Sequence, residues 1–202
     1  DGYLDQACPA PPETPRFTID DSMVVPPPPA DAAPQIVRKE TIGQPPNCTP
    51  LPDPLQGDIL LVLGDKITTD HIMPAGVYLK LRSNIPKYAQ VVFECFNEPG
   101  QPTFADSAIA VRDAGRCGVV VAGESYGQGS SREHAAICPM FLGVRVVLAT
   151  SIERIHAANL INFGILPLQF AAPADKETLH AGDRVQIENV AQQLKPGAPV
   201  EL

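Results

Sequence analysis

Two short runs of β-branched residues, joined by a glycine-rich loop and a helical segment, constrain the fold of this chain more than any other feature. The runs are Gly118 to Ala122 and Val144 to Leu148, and the helix between them is expected to open at Ser130 or Ser131. Short apolar strands on either side of a helix are typical of a βαβ unit in a buried parallel sheet. Ligands bind such sheets at the carboxyl ends of the strands, which here is the glycine-rich loop.

This loop has the composition of an anion-binding site. Glycines let the backbone approach a ligand closely, and a helix that follows presents free N–H groups and a partial positive charge. A simpler reading is that Ser130 only caps the helix, because Ser130 and Glu133 have the spacing of a capping box. Ser131 and Arg132 add a second hydroxyl and a guanidinium fork that matches a carboxylate or phosphate, which favours a binding site. The loop glycines are Gly123, Gly127 and Gly129.

The charge of the chain limits its partners. A formal net charge of −8 argues against a nucleic-acid surface or an anionic membrane surface, because both require a basic face. A small anionic substrate would therefore need local arginines. The sequence contains no run of eighteen apolar residues and no secretion signal, so we expect no membrane contact and a cytoplasmic location.

The cysteines do not form a recognisable metal or disulfide pattern. There are five, an odd number, without a Cys-x-x-Cys pair. This weakens a disulfide framework and a self-contained zinc or iron–sulfur site, so we expect no metal ligand set in this chain. Cys117 and Cys138 are interpreted as small core residues.

A change of composition near residue 56 divides the chain into two predicted regions. Residues 1–56 are rich in proline, which predicts an extended connector, with possible edge strands at Phe17 to Ile19, Met23 to Val25 and Gln35 to Val37. Residues 57–202 are predicted to form the folded domain. The chain begins with Asp1, so we expect it to be a piece of something longer.

A second polar loop is expected beside the first. Asp58 to Leu63 predicts a strand, and Asp70 and His71 follow it at the expected sheet edge, although an ordinary turn would also explain them. His156 is interpreted as a structural histidine, since no residue four positions away could share a metal with it. The remaining predictions are helices over Lys87 to Phe96, Phe104 to Ala114 and Ser151 to Asn162, a strand over Ile165 to Phe170, and β structure over Asp183 to Val190 and over Lys195 to Leu202.

Taken together, these motifs resemble the C-terminal swivel domain of the aconitase family, over roughly residues 57–170. The resemblance rests on Thr68-Thr69-Asp70-His71-Ile72, Arg82, Gly129-Ser130-Ser131-Arg132-Glu133-His134-Ala135, Phe141-Leu142-Gly143, and Arg154-Ile155-His156 with Asn159-Leu160. The superfamily also includes the small subunits of isopropylmalate isomerase and homoaconitase. The resemblance implies an α/β fold: a swivelling β/β/α domain with a mixed, partly barrel-like sheet and surrounding helices.

The resemblance also implies a function. Members are hydro-lyases that interconvert citrate and isocitrate through cis-aconitate on a four-iron–four-sulfur (4Fe-4S) cluster whose cysteines belong to upstream domains. Ser130 would be the base, Ser131, Arg132 and Arg82 would hold the carboxylates of a tricarboxylate substrate, and Asp70 and His71 would support catalysis. The implied partners are the cluster-bearing domains, in the same chain or in a separate subunit, without which this chain would be inactive.

Three alternatives stay open at this point. Met73-Pro74 resembles the isopropylmalate isomerase small subunit, although that motif carries Gln where this chain has His71. The substrate could therefore be isopropylmalate or homoaconitate. The chain could also be purely a docking domain for a cluster-bearing partner. An RNA-binding role, known for aconitases that lose the cluster, is disfavoured by the acidic charge.

Overall fold

The structure is a computed structural model that describes residues 10–13, 16–33, 35, 37–195 and 198–201. It divides the chain into two units, residues 1–37 and residues 38–202. The stretch from 38 to 54 belongs to the second unit, where the Arg145 guanidinium donates to the Thr49 hydroxyl at 2.8 Å. The structure thus divides the chain about twenty residues before the composition change. The reason is that the proline-rich stretch from 38 to 54 lies along the domain.

The first unit contains turns only, as far as its described residues show. The N–H of Val24 donates to the carbonyl of Asp21, and the N–H of Ala32 to that of Pro29. Edge strands at 17–19 and 23–25 were therefore a wrong expectation. Their apolar side chains are exposed, and the prolines around them remove ladder donors. The third expected strand includes residue 36, which lies outside the described residues.

The second unit is built on one mixed sheet that curls into half a barrel. The strand order is β4-β3-β2-β1-β5; β1 to β4 are parallel, and β5 pairs antiparallel with β1. The strands are β1 Leu55–Val62, β2 Cys117–Ala122, β3 Val144–Ala149, β4 Leu166–Gln169 and β5 Arg184–Ile187. The predicted α/β fold with a mixed, partly barrel-like sheet is confirmed.

Helices surround this sheet. The α-helices in the described residues are α1 Thr69–Ile72, α2 Ile85–Tyr88, α3 Phe104–Asp113, α4 His134–Leu142, α5 Arg154–Asn162 and α6 Val190–Gln193. Short 3₁₀ helices cover Gly76–Leu81, Ala89–Val91, Glu94–Phe96 and Pro173–Thr178. No helix among the described residues has the length and apolar character that a membrane crossing requires.

The core lies on both faces of the sheet, which explains why β2 is apolar throughout. Every residue of β2 is buried. Val120 and Ala122 belong to the larger core, which also contains residues of α2 to α5, while Val119 and Val121 belong to a smaller core on the other face. Cys117 and Cys138 are buried, and burial raises their thiol pKa values to about 11 and about 12. Both behave as the predicted core residues.

Three predicted helices have different boundaries in the structure. The helix expected over 87–96 is divided into α2, which ends at Tyr88, and two 3₁₀ helices, which are separated at Phe93 by a left-handed φ of +54°. Helix α4 begins at His134, after the two serines. Helix α5 begins at Arg154 because the preceding residues extend the sheet pairing: the N–H of Tyr126 donates to the Ser151 carbonyl, and Tyr126 bridges to Ile152.

Candidate active site at the carboxyl edge of the sheet

The loops that follow β1, β2 and β3 meet at the carboxyl ends of these parallel strands. Two isolated parallel bridges tie them together, one between Thr68 and Gln128 and one between Tyr126 and Ile152. The first bridge joins the loop after β1 to the loop after β2, and the second joins the loop after β2 to the loop after β3. The two polar loops of the sequence therefore share one sheet edge, as the strand pattern predicted.

The loop after β1 forms a capped turn of helix. The Thr68 hydroxyl accepts from the His71 N–H at 3.2 Å, and the His71 Nδ1 accepts from the Thr68 N–H at 3.1 Å. This reciprocal capping box fixes α1 and leaves the Asp70 side chain 64% exposed at the site. His71 therefore shapes the loop through its Nδ1, and in the neutral ring its proton is on Nε2.

The Gly/Ser turn after β2 is shaped by two glycines with left-handed backbone. Gly127 has φ +83° and Gly129 has φ +107°. Gly127 also lies directly against the His156 ring, where an added Cβ would approach ring atoms to 2.2 Å. Only glycine fits there, since both the backbone and the space exclude a side chain.

Ser130 and Ser131 lie exposed between this turn and α4. They do not cap the helix, because Arg132 N–H donates to the Ser130 carbonyl at 2.7 Å and bends the chain before the helix begins at His134. The simpler alternative, in which Ser130 and Glu133 form a capping box, is therefore wrong. Both hydroxyls are left available to a ligand, which supports the binding interpretation over the cap.

Arg132 connects the two loops directly. Its Nη1 donates to Asp70 Oδ1 at 2.6 Å and to the Met73 carbonyl at 2.6 Å, and its side chain is only 16% exposed. These bonds use Nη1 alone, and Nε and Nη2 form no hydrogen bond with the described residues. The guanidinium therefore holds α1 in place and still offers one edge to a carboxylate.

Arg82 reaches the same region from the end of the 3₁₀ helix Gly76–Leu81. Its carbonyl accepts from His134 Nε2 at 2.9 Å, and the His134 ring packs against Tyr88 at a centroid distance of 5.4 Å. The Tyr88 hydroxyl in turn donates to the Pro74 carbonyl at 2.9 Å. The start of α4 thus fixes the backbone of Arg82, while the Arg82 guanidinium is exposed and unpaired among the described residues.

A cavity of about 230 Å³ lies beside the Gly/Ser turn. It is lined by Gly127, Gly129, Ser130 and Ser131 on one side and by the first turns of α5 on the other. His156 borders it, is 2% exposed, and has no hydrogen-bond partner at either ring nitrogen among the described residues. Burial lowers the pKa of His156 to about 4, so the ring is neutral near pH 7.

The described residues do not form a metal site. No group of three His, Cys, Asp or Glu side chains among them could hold an ion. The described cysteines Cys48, Cys95, Cys117 and Cys138 are all free, and Cys8 lies outside the described residues. A 4Fe-4S cluster therefore does not fit the residues described in this chain.

The structure brings the predicted site residues to one edge of the sheet. Asp70 and Arg132 are in direct contact, Ser130 and Ser131 directly precede Arg132, and His71 directly follows Asp70. The Arg82 carbonyl contacts His134, two residues after Arg132. Sequence reasoning did not assign a role to His134 or to Arg154. Both occur in the motifs that carry the resemblance, but neither the contact of His134 with the Arg82 carbonyl nor the position of Arg154 at the cavity could be read from spacing alone.

The sequence of this chain is similar to that of known proteins. The family model named Aconitase C-terminal domain matches residues 81–173. An aconitate hydratase from the mitochondria of Saccharomyces cerevisiae is 38% identical over 161 residues, covering 71% of this chain and 20% of the relative. A putative mitochondrial aconitate hydratase of Emericella nidulans is 38% identical over 157 residues, again with 71% and 20% coverage. The chain spans about a fifth of the length of these curated relatives.

A solved structure shows the same fold. The 3-isopropylmalate dehydratase from Methanocaldococcus jannaschii aligns with a TM-score of 0.51 at 30% identity, over 69% of this chain and 72% of that one. The fold and the site define a swivel-type α/β domain of the aconitase and isopropylmalate isomerase superfamily. Within this superfamily, the chain belongs to the aconitase C-terminal domain family.

Proposed function

We propose that this chain is the C-terminal domain of an aconitate hydratase, a hydro-lyase that interconverts citrate and isocitrate through cis-aconitate. The single observation that carries the proposal is the meeting of Ser130, Arg132 and Asp70 at one sheet edge, with the Arg132 guanidinium 2.6 Å from Asp70. This arrangement supports the proposal, because Ser130 would then act as the proton acceptor beside a guanidinium that binds a carboxylate. Removal of a proton next to a substrate carboxylate requires this combination.

In this proposal the residues have separate roles. Ser130 takes the proton, while Ser131, the free edge of Arg132 and the exposed Arg82 guanidinium bind carboxylates of a tricarboxylate substrate. Asp70 and His71 support them: Asp70 orients Arg132, and His71 fixes the turn that carries Asp70. Each arginine presents a planar fork, which suits a carboxylate better than a lysine would.

A serine is a weak base, so its surroundings have to stabilise the alkoxide. A helix dipole contributes at most about 2 kcal/mol, and less here because α4 begins four residues after Ser130. Arg132 and the exclusion of water by other domains would supply the remainder. The proposed partners are therefore cluster-bearing domains that close over this edge, which is why the chain alone is expected to be inactive.

The family implies a 4Fe-4S cluster, whose ligands would belong to those other domains. When bound, it supplies a Lewis acid for the departing hydroxyl. The cytoplasmic location stays a prediction. Both aconitate hydratases compared above are mitochondrial by name.

A second candidate function is the isomerisation of isopropylmalate or homoaconitate. The likeness to the Methanocaldococcus jannaschii 3-isopropylmalate dehydratase favours it, together with the Met73-Pro74 sequence. Docking without catalysis is the non-enzymatic candidate. A docking role does not explain why the arginines at this edge are unpaired among the described residues.

The experiment that tests the proposal is a substrate assay of the full-length protein with its natural partners. After anaerobic iron reconstitution, isomerisation of citrate and of isopropylmalate would be measured for the wild type, Ser130→Ala and the control Ser107→Ala, which alters α3. We expect citrate activity in the wild type and the control, and a loss of about 10²–10⁴-fold in kcat for Ser130→Ala. Turnover of isopropylmalate only would select the second function, and full activity of Ser130→Ala would remove the base assignment.

A further inference from the structure

The ring of His156 is a buried feature of the site that the proposed chemistry does not use. This side chain is only 2% exposed, and both of its ring nitrogens are buried without a hydrogen-bond partner among the described residues. Buried polar groups without partners are rare, because they lower stability. The packing of the ring, rather than its hydrogen bonding, is therefore where its role has to be sought.

The ring lies against the turn that carries Ser130. A Cβ atom added to Gly127 would approach Cγ and Cδ2 of His156 to 2.2 Å and its Cβ to 2.5 Å, so these atoms occupy the space beside the glycine. The ring also packs against the buried ring of Tyr126, with 5.3 Å between the centroids and 57° between the planes. His156 therefore covers two consecutive residues at the start of the turn.

The backbone of the same turn is tied to two neighbouring segments. The N–H of Gly127 donates to the Ile67 carbonyl at 2.7 Å, and the N–H of Gln128 donates to the same carbonyl at 3.2 Å. The Tyr126 carbonyl accepts from the Glu153 N–H at 2.9 Å, just before α5 begins. Gly127, whose φ is +83°, is thus held by a hydrogen bond to the loop after β1 and by packing against a side chain of α5.

Ser130 follows Gly127 by three residues, and its own side chain is not anchored. The hydroxyl forms no hydrogen bond with the described residues, and the residue is exposed. Its position is set by the backbone between two anchors. One anchor is Arg132, which is bound to Asp70 and to the Met73 carbonyl. The other anchor is Gly127.

We propose that His156 is a positioning residue for the base: its ring fixes Gly127 and thereby holds the Ser130 hydroxyl where it can take the proton. The inference rests on the proposed function and deepens it by giving α5 a part in placing the base. A misplacement of about 1 Å can lower turnover about 10²-fold, so a side chain that touches no substrate can still control the rate. The contacts of Arg132 and of the Arg82 carbonyl do not include this ring, so substrate binding should depend on it much less.

Steady-state kinetics of the full-length protein, after anaerobic iron reconstitution, test this role. His156→Ala removes the ring, so we expect kcat for citrate to fall about 10–100-fold while KM changes less than about threefold. His156→Asn keeps atoms in the places of Cβ, Cγ and Cδ2, which lie nearest to Gly127, and should recover most of the lost turnover. The matched control is Leu160→Ala, one turn further along α5, which removes another buried side chain. It should lower the unfolding temperature and leave kcat and KM unchanged.

A double-mutant cycle tests the contact between the ring and the turn. Gly127→Ala adds a Cβ that collides with the His156 ring and strains a left-handed backbone, so this change should also lower kcat. The collision is absent when Gly127→Ala is combined with His156→Ala. The combined loss should therefore be smaller than the product of the two single losses. Losses that simply multiply would show that the two residues act independently, and would overturn the proposal.

Hydrogen exchange followed by mass spectrometry gives a readout that does not depend on activity. The N–H groups of Gly127 and Gln128 are bonded to the Ile67 carbonyl, so peptides that contain them report on the turn. We expect these peptides to exchange about tenfold faster in His156→Ala and at the wild-type rate in Leu160→Ala. Unchanged exchange in His156→Ala would overturn the proposal. So would an equal loss of kcat in Leu160→Ala, or a loss in His156→Asn as large as in His156→Ala.

These outcomes separate the positioning role from the proposed function. If the wild type turns over citrate and Ser130→Ala does not, but His156→Ala is fully active, the function stands and the positioning role fails. If the wild type does not turn over citrate at all, the proposed function fails, and a role in placing its base fails with it. If His156→Ala does not fold, His156→Gln, which has no flat group at Cγ, replaces it in every comparison.

Discussion

The two ends of the parallel strands use arginine in opposite ways. At the amino end, Arg116 forms a two-pronged ion pair with Asp58 at 2.7 and 2.8 Å, and Arg145 donates to the Thr49 hydroxyl and the Gly164 carbonyl. At the carboxyl end, the guanidinium groups of Arg82 and Arg154 are unpaired among the described residues, and Arg132 uses only one of its nitrogens. The arginines at the amino end are paired, whereas those at the carboxyl end keep hydrogen-bond donors that are unpaired among the described residues.

This difference distinguishes structural arginines from binding arginines. A paired guanidinium stabilises the fold by joining strand to strand or the proline-rich stretch to the domain. An unpaired guanidinium at a loop edge adds little to stability, and it keeps its donors free for an anion. The acidic net charge of −8 makes the contrast sharper, because an anionic ligand would be repelled from most of the remaining surface.

The largest expected effect comes from making the same substitution at both ends. Arg132→Gln removes the contact with Asp70 and the proposed carboxylate clamp, so kcat/KM of the full-length protein should fall about 10²–10³-fold. Arg116→Gln removes the ion pair with Asp58, so it should lower the unfolding temperature and leave kcat/KM unchanged. Steady-state kinetics and thermal unfolding of both variants measure the two effects.

The comparison between the two ends would break down if the results were exchanged. Wild-type kinetics in Arg132→Gln would mean that the carboxyl edge does not bind the substrate. A large loss of activity in Arg116→Gln, with unchanged stability, would place function at the amino end.

Acid should affect the two ends in different pH windows. The folded-state pKa of His156 is about 4, below its ordinary value of 6.5, so its contribution to stability is complete above pH 6.5 and is lost as the pH falls towards 4. The resulting decrease in the free energy of unfolding is about 3 kcal/mol at most. Asp58 has its pKa lowered from 3.8, chiefly by the Arg116 hydrogen bonds, so its contribution is lost only below that value. The carboxyl end should therefore weaken first.

Denaturant unfolding between pH 4 and pH 7 measures this acid sensitivity. His156→Gln should flatten the pH dependence of the unfolding free energy in this range, because a group that does not titrate replaces the imidazole. The control is His180→Gln, which alters an exposed histidine and should keep the wild-type slope. An unchanged slope in His156→Gln would show that the acid sensitivity arises elsewhere.

Much of the fold could be predicted because its signals are local. The parallel strands β2 and β3 follow from apolar β-branched runs, and helix α3 follows from an amphipathic segment that ends at Gly115. The helix boundaries could not be predicted in the same way. Ser130 and Glu133 have the spacing of a capping box, but the Arg132 N–H donates to the Ser130 carbonyl, and the Arg132 side chain contacts residues about sixty positions away. Tertiary contacts of this kind override local spacing.

The candidate site, too, could be predicted from the sequence only in part. The positions of Asp70, Ser130 and Arg132 could be predicted from strand ends and from the resemblance. The cavity beside the Gly/Ser turn could not, since it forms between this turn and the start of α5, which are separated in the sequence. His156 was interpreted as structural, and its burial agrees, but only the structure shows its unpartnered nitrogens.

The smallest expected effect concerns how the carboxyl end positions its open arginines. His134 donates to the Arg82 carbonyl at 2.9 Å, so His134→Ala should release the Arg82 segment and raise KM about 3–10-fold with little change in kcat, the value of one hydrogen bond. His134→Gln, which can still donate to the carbonyl, should recover most of the loss, and His180→Ala should have no effect. If His134→Gln were as impaired as His134→Ala, ring packing on Tyr88 would be the important contact; if both bound substrate normally, Arg82 would not need this support.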